Sequence, residues 1–531
     1  MNYHMHKMAD ADGYINLGVK LYNLGNLQEA ISAFIQALEI DPDDADTYHK
    51  LGRALAAQDN MDIAIKCYRQ ALQIKPNASE IHFQLANALK HQDKNEEAIA
   101  SYLKVIQIEP THLQAYNNMA VAEHALGNFD DAIRHYQKAL EIDSKWAEVY
   151  NNIGKAFKDM GLPENAEDCY RKAIELKPDF TEAYIELGNV FYAQCKIEDA
   201  VSNYDKALTI CPEHSVAHWD RSVALLLNGN FEEGWQEFEW RSKLAQNGTN
   251  DTAIPEKIYW DGSRFDGKRL FIFSEQGLGD TLQFVRYLPK VKALGGTVIL
   301  GTYKPLVPLL SGFNGVDKLV EISQHHFQAF EYDLFCPILS LPGIFKTTLK
   351  TIPRDVPYLD APPQKVSNWR RQLDNDAFKV GIVWKGSPIH ANDRNRSCDL
   401  EPFLPLVSVP GVRLYSLQKG PAIDDLKRIF PESQVKNIGP HLKDFSDTAG
   451  LLANLDLVIS VDTAVVHLAG AMGLPVWTLL PFAPDWRWQL NRKDTPWYPS
   501  MQLFRQVQRG NWQTVFQQIM EKLHVQVNAQ S

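Results

Sequence analysis

One interval governs what the first half of this chain can become. Alanine recurs at Ala30, Ala64, Ala98, Ala132, Ala166 and Ala200, each 34 residues from the last, and Gly234 takes the same place in a seventh unit. Four residues further on stand Phe34, Tyr68, Tyr102, Tyr136, Tyr170, Tyr204 and Phe238. Proline follows at Pro42, Pro76, Pro110, Pro178 and Pro212, with Ser144 as the one break. Earlier in each unit an apolar residue adjoins a small one: Leu17-Gly18, Leu51-Gly52, Leu85-Ala86, Met119-Ala120, Ile153-Gly154 and Leu187-Gly188. Each unit therefore reads as two short helices. The small residues let them approach, the aromatic fills the gap, and the proline stops the second helix. One such unit cannot bury its apolar face alone, so the units must stack.

Position by position, these residues resemble the tetratricopeptide repeat over roughly residues 11–248. The resemblance implies an all-α solenoid of about seven repeats with a concave binding surface. The sixth position of each unit, which the family turns toward that surface, holds Asn16, Lys50, Gln84, Asn118, Asn152, Glu186 and Asp220. Amides there can hydrogen-bond an extended peptide; the same row also reads as an ordinary solvated face.

Charge divides the chain unevenly. Of 54 Lys+Arg and 65 Asp+Glu, residues 1–250 hold 23 and 38, a net of −15, which leaves 31 against 27, or +4, for residues 251–531. A pI near 5.8 excludes a generally basic nucleic-acid binder but leaves room for a local anion site in the second half. The cysteines Cys67, Cys169, Cys195, Cys211, Cys336 and Cys398 form no CxxC or Cys/His cluster, so neither zinc nor a disulfide framework is expected. The N-terminus lacks an apolar leader, and the most apolar stretch, 455–482, is interrupted by Asp462 and His467. A soluble, cytoplasmic protein without a transmembrane segment is expected.

Beyond Asn250 the period is lost and short apolar runs alternate with helical patterns. Strands are expected at 269–274, 297–301, 334–337, 379–384, 412–417, 457–461 and 475–480. Helices are expected at 281–294, 304–310, 366–373, 422–429, 448–455, 463–472 and 512–523. This order argues for parallel sheets covered on both faces. The Pro-rich joint at 356–364 splits the series into two such domains, so we expect a solenoid over 1–248 followed by α/β halves at 249–360 and 361–531. Ligands then sit at the carboxyl ends of the strands.

Three strand ends carry unusual chemistry. SEQGLGDT, at 274–281, lacks the third glycine of a dinucleotide fingerprint, with Leu282 in its place, and no acidic residue follows the next strand. What remains is Gly277 and Gly279, where backbone can approach a ligand, and Asp280, which either caps the helix or acts as a general base. At 458–481, a strand ends at Asp462 and a helix begins at Thr463 and Ala464, offering free N–H groups to an anion such as a diphosphate. His467 lies one turn on, either as a ligand contact or as a satisfied core residue. Between them, VWKGSPIHANDRNRS at 383–397 supplies Lys385, Arg394 and Arg396, read as phosphate cations or as a solvated loop. Gln418 and Lys419 are weaker candidates in the same cleft. Trp486, in PFAPDWRW at 481–488, either stacks a base or sugar or packs domains together.

GLGD ahead of a helix and DTAVVHLAGAMG in the last half resemble the bacterial lipopolysaccharide heptosyltransferases, over about residues 260–525. The domain order is similar to that of the O-linked N-acetylglucosamine transferases. These resemblances imply a GT-B fold of two Rossmann-like domains, the first facing an acceptor and the second a nucleotide sugar. They imply Asp280 as the acidic base, Arg396 as the donor-phosphate cation, and Asp462, Thr463, Ala464 and His467 as the donor-binding motif. The chain departs from the family at Ala464, where glycine is usual, and after Arg396, where Ser397 and Cys398 replace a cationic-aromatic signature.

The expected activity is inverting transfer of a sugar from a nucleoside diphosphate sugar to a hydroxyl, on a protein or peptide presented by the repeats. No cofactor and no metal are expected beyond the co-substrate. The one Asp-x-Asp match of the second half, at Asp374 and Asp376, reads as a loop. The alternative is a non-catalytic repeat scaffold whose GT-B part has degenerated to a ligand-binding unit. A nucleotide-dependent epimerase or dehydrogenase is disfavoured by the incomplete glycine fingerprint.

Overall fold

The computed structural model describes residues 2–248, 258–322, 331–374, 376–390, 392–430 and 434–529, with side chains at 2–10 and 245–248 left aside. It divides into two compact units, Met1–Val190 and Phe191–Ser531. The expected boundary after Asn250 and the middle residue of the Asp-x-Asp match, Asn375, lie outside the described residues.

Fourteen consecutive helices, paired within each repeat from Asn2–Asn23 with Leu27–Ile40 to Ser215–Leu227 with Phe231–Phe238, form the tetratricopeptide solenoid. Their packing follows from the periodic residues. Ala30, Ala64, Ala98, Ala132, Ala166 and Ala200 are all fully buried. A methyl on Gly52 would lie 2.5 Å from the Tyr68 ring, and one on Gly18 or Gly154 would lie 2.6 Å from Phe34 or Tyr170. At these three positions the aromatic of the second helix rests directly on the glycine of the first, while Ala86 and Ala120 fill the equivalent place in two other repeats. The second helices end at Ile40, Ile74, Ile108, Leu176 and Ile210, one residue short of the residue before each proline, which cannot easily stay helical. The fourth also ends in step, at Ile142, although Ser144 replaces its proline. Stop position is therefore set by the stack as well as by local sequence.

In the second unit, the last repeat consists of α1 (Ser215–Leu227) and α2 (Phe231–Phe238), followed by α3 (Arg241–Gly248). Beyond it lie two sheets. The first contains β1 (Ile258–Tyr259), β2 (Arg269–Phe273), β3 (Thr297–Thr302), β4 (Lys318–Glu321) and β5 (Leu334–Pro337), in the order β1-β5-β2-β3-β4. The second contains β6 (Phe378–Val383), β7 (Val412–Ser416), β8 (Val435–Asn437), β9 (Leu457–Val461), β10 (Val476–Leu480) and β11 (Met501–Arg505), in the order β11-β10-β9-β6-β7-β8. Every pairing between these strands is parallel. Two parallel sheets after a solenoid agree with a GT-B architecture.

The seven expected strands are present; β1, β4, β8 and β11 were not anticipated. The expected helix 281–294 is instead α4 (Leu278–Phe284), a 3₁₀ turn at Val285–Tyr287 and a short helix at Leu288–Lys292. Pro289 lacks the N–H that would continue the ladder, which accounts for the interruption. The expected helix 463–472 is α5 (Ala464–Ala471). No helix among the described residues is long and apolar enough to cross a membrane.

Tyr136 is 1 % exposed against the first helix of its repeat. Tyr136→Ala is expected to cost about 3–5 kcal/mol, read as a lowered urea midpoint of the helical circular-dichroism signal; a change below about 1 kcal/mol would contradict this packing.

Candidate functional site

The carboxyl ends of both sheets open on one cavity of about 1360 Å³. Its wall takes Gln276, Gly277 and Asp280 after β2, Lys385 and Arg396 after β6, Lys419 after β7, and Asp462, Thr463 and Ala464 after β9. Parallel strands leave their carboxyl-end loops free to splay apart, which is where such folds hold ligands.

Asp280 is the third residue of α4, not its N-cap, which is Gly277. One carboxylate oxygen accepts the Gly277 N–H at 2.8 Å. The other accepts from Arg487, whose guanidinium also donates to Gln283 Oε1 at 2.6 Å and Asp485 Oδ1 at 2.9 Å. Arg487 is 7 % exposed and lies 4.4 Å from the centroid of the Trp486 ring. A cation of the second sheet's loops thus fixes a carboxylate of the first.

Gly279 lines the cavity and also makes a close contact. A Cβ on it would fall 2.8 Å from His467 Cδ2 and 3.5 Å from Ala464 Cα. The first turn of α4 consequently lies against the first turn of α5, bringing Asp280 to the start of that helix. Gly277 lines the cavity.

Thr463 caps α5 in extended conformation, its hydroxyl 3.2 Å from Ser460 Oγ. The amides of Ala464 and Val465, at the first two positions of α5, have no carbonyl of their own helix to bond. Asp462 accepts the Trp488 indole N–H at 2.8 Å, and its other oxygen is 3.8 Å from His467 Nε2. Burial, reinforced by Asp485, raises the Asp462 carboxyl to about 6, against the opposing pull of the Trp488 hydrogen bond, Arg487 and Arg396. His467 Nδ1 lies 2.9 Å from Tyr498 Oη. Burial, with Arg487, Arg286 and Arg396 nearby, pushes His467 well below its ordinary range, so its ring is neutral at pH 7.

Two of the three cations of the 383–397 loop, Lys385 and Arg396, are held. Lys385 Nζ is 2.8 Å from Asp425, and Arg396 Nε is 3.3 Å from Asp393. A methyl on Gly386 would lie 2.5 Å from Arg396 Nη2, so that glycine makes room for the guanidinium. Lys419 lines the cavity with its Nζ on the Leu442 carbonyl at 2.6 Å.

Three expected candidates stand elsewhere. Gln418 is 3 % exposed and spent on backbone: it accepts the N–H groups of Trp384 and Lys385 and donates to the carbonyls of Lys385 and Lys419. Arg394 is exposed and outside the cavity wall. Trp486, 2 % exposed, packs edge-on against Trp235 at 5.2 Å and close to Phe231 and Phe238 of α2, which is the packing alternative of its two readings. Conversely, Arg487, Asp485 and His390 line the cavity without having been singled out. Arg487 is the only cation in PFAPDWRW, a signal hidden by the tryptophans on either side. Asp374 accepts from Tyr415 Oη at 3.1 Å and also stands outside the cavity wall.

Family models match parts of both halves of the chain. Residues 11–44 and 147–180 match the tetratricopeptide repeat, 36–146 match the cytochrome c-type biogenesis protein H TPR domain, and 417–524 match glycosyltransferase family 9 (heptosyltransferase). The chain therefore carries tetratricopeptide repeats in its N-terminal region and a family 9 glycosyltransferase domain toward its C-terminus. It is 32% identical over 317 residues to protein FlbA of Caulobacter vibrioides, a match covering 55% of this chain and 52% of FlbA. The chain thus spans about half the length of the curated relative it matches. Among solved structures, MamA is 26% identical, covering 30% of this chain and 94% of its own, with a TM-score of 0.29. A tetratricopeptide repeat protein from Parabacteroides merdae is 18% identical, covering 46% of this chain and 94% of its own, with a TM-score of 0.41.

A carboxyl raised to about 6 from 3.8 keeps its proton in the folded chain where the unfolded chain has lost it. Its contribution to stability is present below about pH 4 and lost as pH rises through about 6. Asp462→Asn is expected to gain about 1–3 kcal/mol relative to wild type between pH 4 and pH 7, measured by urea unfolding at both; a difference that does not vary with pH would contradict the assignment.

Proposed function

We propose that this chain transfers a sugar from a nucleoside diphosphate sugar to a hydroxyl acceptor by a single inverting displacement without a metal. The observation that carries the reading is the juxtaposition, in one cavity, of a carboxylate on α4 with the free amides of α5 and the cations Lys385 and Arg396. The cations and helix end suit a diphosphate; the carboxylate suits an acceptor proton.

In this scheme the acceptor oxygen attacks the anomeric carbon from the face opposite the diphosphate. Asp280 takes the hydroxyl proton as the new C–O bond forms. The bond from the anomeric carbon to the diphosphate oxygen breaks, and the departing negative charge is met by Arg396, Lys385 and the amides of Ala464 and Val465. Asp462 and the neutral His467 shape the floor beneath that end. The methyl of Ala464, where the resembling family has glycine, sits at the cavity wall and limits how closely phosphate approaches the first turn.

The acceptor belongs to the repeats in this reading. Asn118 donates to Asn87 at 3.0 Å and Asn152 to Asn117 at 3.2 Å, so amides from successive repeats form a hydrogen-bonded row suited to an extended peptide backbone. One observation favours the scaffold alternative: Lys385, Arg396 and Asp280 each already have a partner of opposite charge. A diphosphate must displace Asp425 and Asp393 from the first two.

Nucleoside diphosphate release from a panel of sugar donors separates the readings. Asp280→Ala is expected to lower turnover about 10²- to 10⁴-fold with donor affinity retained. Arg396→Ala is expected to weaken nucleoside diphosphate binding by about 1.5–3 kcal/mol. Failure of wild-type protein to release diphosphate from any donor, with or without peptide acceptors, would leave the scaffold reading standing.

A further inference from the structure

The residues that flank Asp280 in the second unit are gripped by the last repeat. On one side, Glu275 precedes the loop Gln276-Gly277 that leads into α4. Arg241, the first residue of α3, donates to Glu275 through Nη2 at 2.7 Å and through Nε at 3.3 Å. The same guanidinium donates to Ser340 Oγ at 2.6 Å, Glu239 Oε1 at 2.9 Å and the Phe238 carbonyl at 3.1 Å. Glu239 in turn accepts from Ser340 and Tyr259. Arg241 is 6 % exposed, so this fork is desolvated and geometrically restrictive.

The loop needs such restraint. Gln276 holds φ +57, a left-handed conformation that costs a residue with a side chain energy and persists only where its surroundings impose it. On the other side of Asp280, Arg487 follows Trp486, which packs against Phe231, Trp235 and Phe238 of α2. Trp235 Nε1 also donates to the Thr347 carbonyl at 2.9 Å. The start of α3 therefore holds the residue before the loop that leads to Asp280, and the last repeat touches the residue beside its ion-pair partner.

We infer that the seventh repeat and the helix α3 that follows it are a working part of the transferase and that Arg241 is a positioning residue, holding the 274–280 loop so that Asp280 faces the acceptor. The inference rests on the transferase reading for its kinetic consequence but not for its structural one. It places a determinant of turnover at the start of α3, outside the cavity wall.

The test uses the full chain and three variants. Arg241→Met removes the fork, the double variant Arg241→Met/Glu275→Gln removes it without leaving a buried carboxylate unpaired, and Arg241→Lys retains charge alone. Hydrogen exchange of 274–284 and 457–471, nucleoside diphosphate affinity by calorimetry, and diphosphate release are measured on each. Expected are at least tenfold faster exchange confined to 274–284 and turnover reduced tenfold or more in both Met variants. Diphosphate affinity should stay within twofold of wild type, and Lys should recover part of the turnover. Unchanged exchange at 274–284 in the double variant would overturn the inference, as would equal losses of affinity and turnover with exchange rising at 457–471 as well. If wild-type protein releases no diphosphate, the transferase reading falls while the exchange arm still decides whether Arg241 holds the loop.

Discussion

The site depends on one close approach. The first turns of α4 and α5 meet where Gly279 lies against His467, with no space for even a methyl group between them. This contact brings a carboxylate from one sheet beside the helix N-terminus of the other. Arg487 then ties Asp280 across the same junction, and His467 is kept neutral by burial and by the arginines around it. A charged histidine there would face three cations; a neutral one packs against Trp488 with ring centroids 5.4 Å apart. Desolvation, which makes ion pairs costly to assemble, also makes this geometry hard to alter once formed.

What the sequence disclosed follows from the range of each interaction. The repeats were legible because Ala30 and its successors recur at a period set by local helix-pair packing. Seven strands were legible as apolar runs, whereas β4, with only Leu319 and Val320 between Lys318 and Glu321, and the short β8 present too little apolar length. Asp280, Lys385, Arg396, Asp462, Thr463, Ala464 and His467 all line the cavity because each follows, or closely follows, a strand end that could be read from the chain. Arg487 was not legible: its partner Asp280 is 207 residues away in sequence. Gln418 had the right strand end but the wrong direction, since its amide is consumed by the backbone of the neighbouring loop.

Charge takes on a different meaning once the cavity is drawn. The second half's small positive excess is not free cationic surface, because Lys385 and Arg396 are paired with Asp425 and Asp393. Such pairing holds the side chains in position at the cost of a competition with any incoming anion. In the proposed reading, affinity for a diphosphate depends on what it gains from the amides of α5 beyond what those carboxylates surrender. This places the helix terminus, more than net charge, at the centre of recognition.

The most direct test of that account is a crystal structure of the protein with a bound nucleoside diphosphate. The account predicts phosphate oxygens within hydrogen-bonding distance of the Ala464 or Val465 amide and of Arg396, with Asp280 facing the vacant sugar position. A diphosphate bound away from the first turn of α5, or no binding at millimolar concentration, would contradict it.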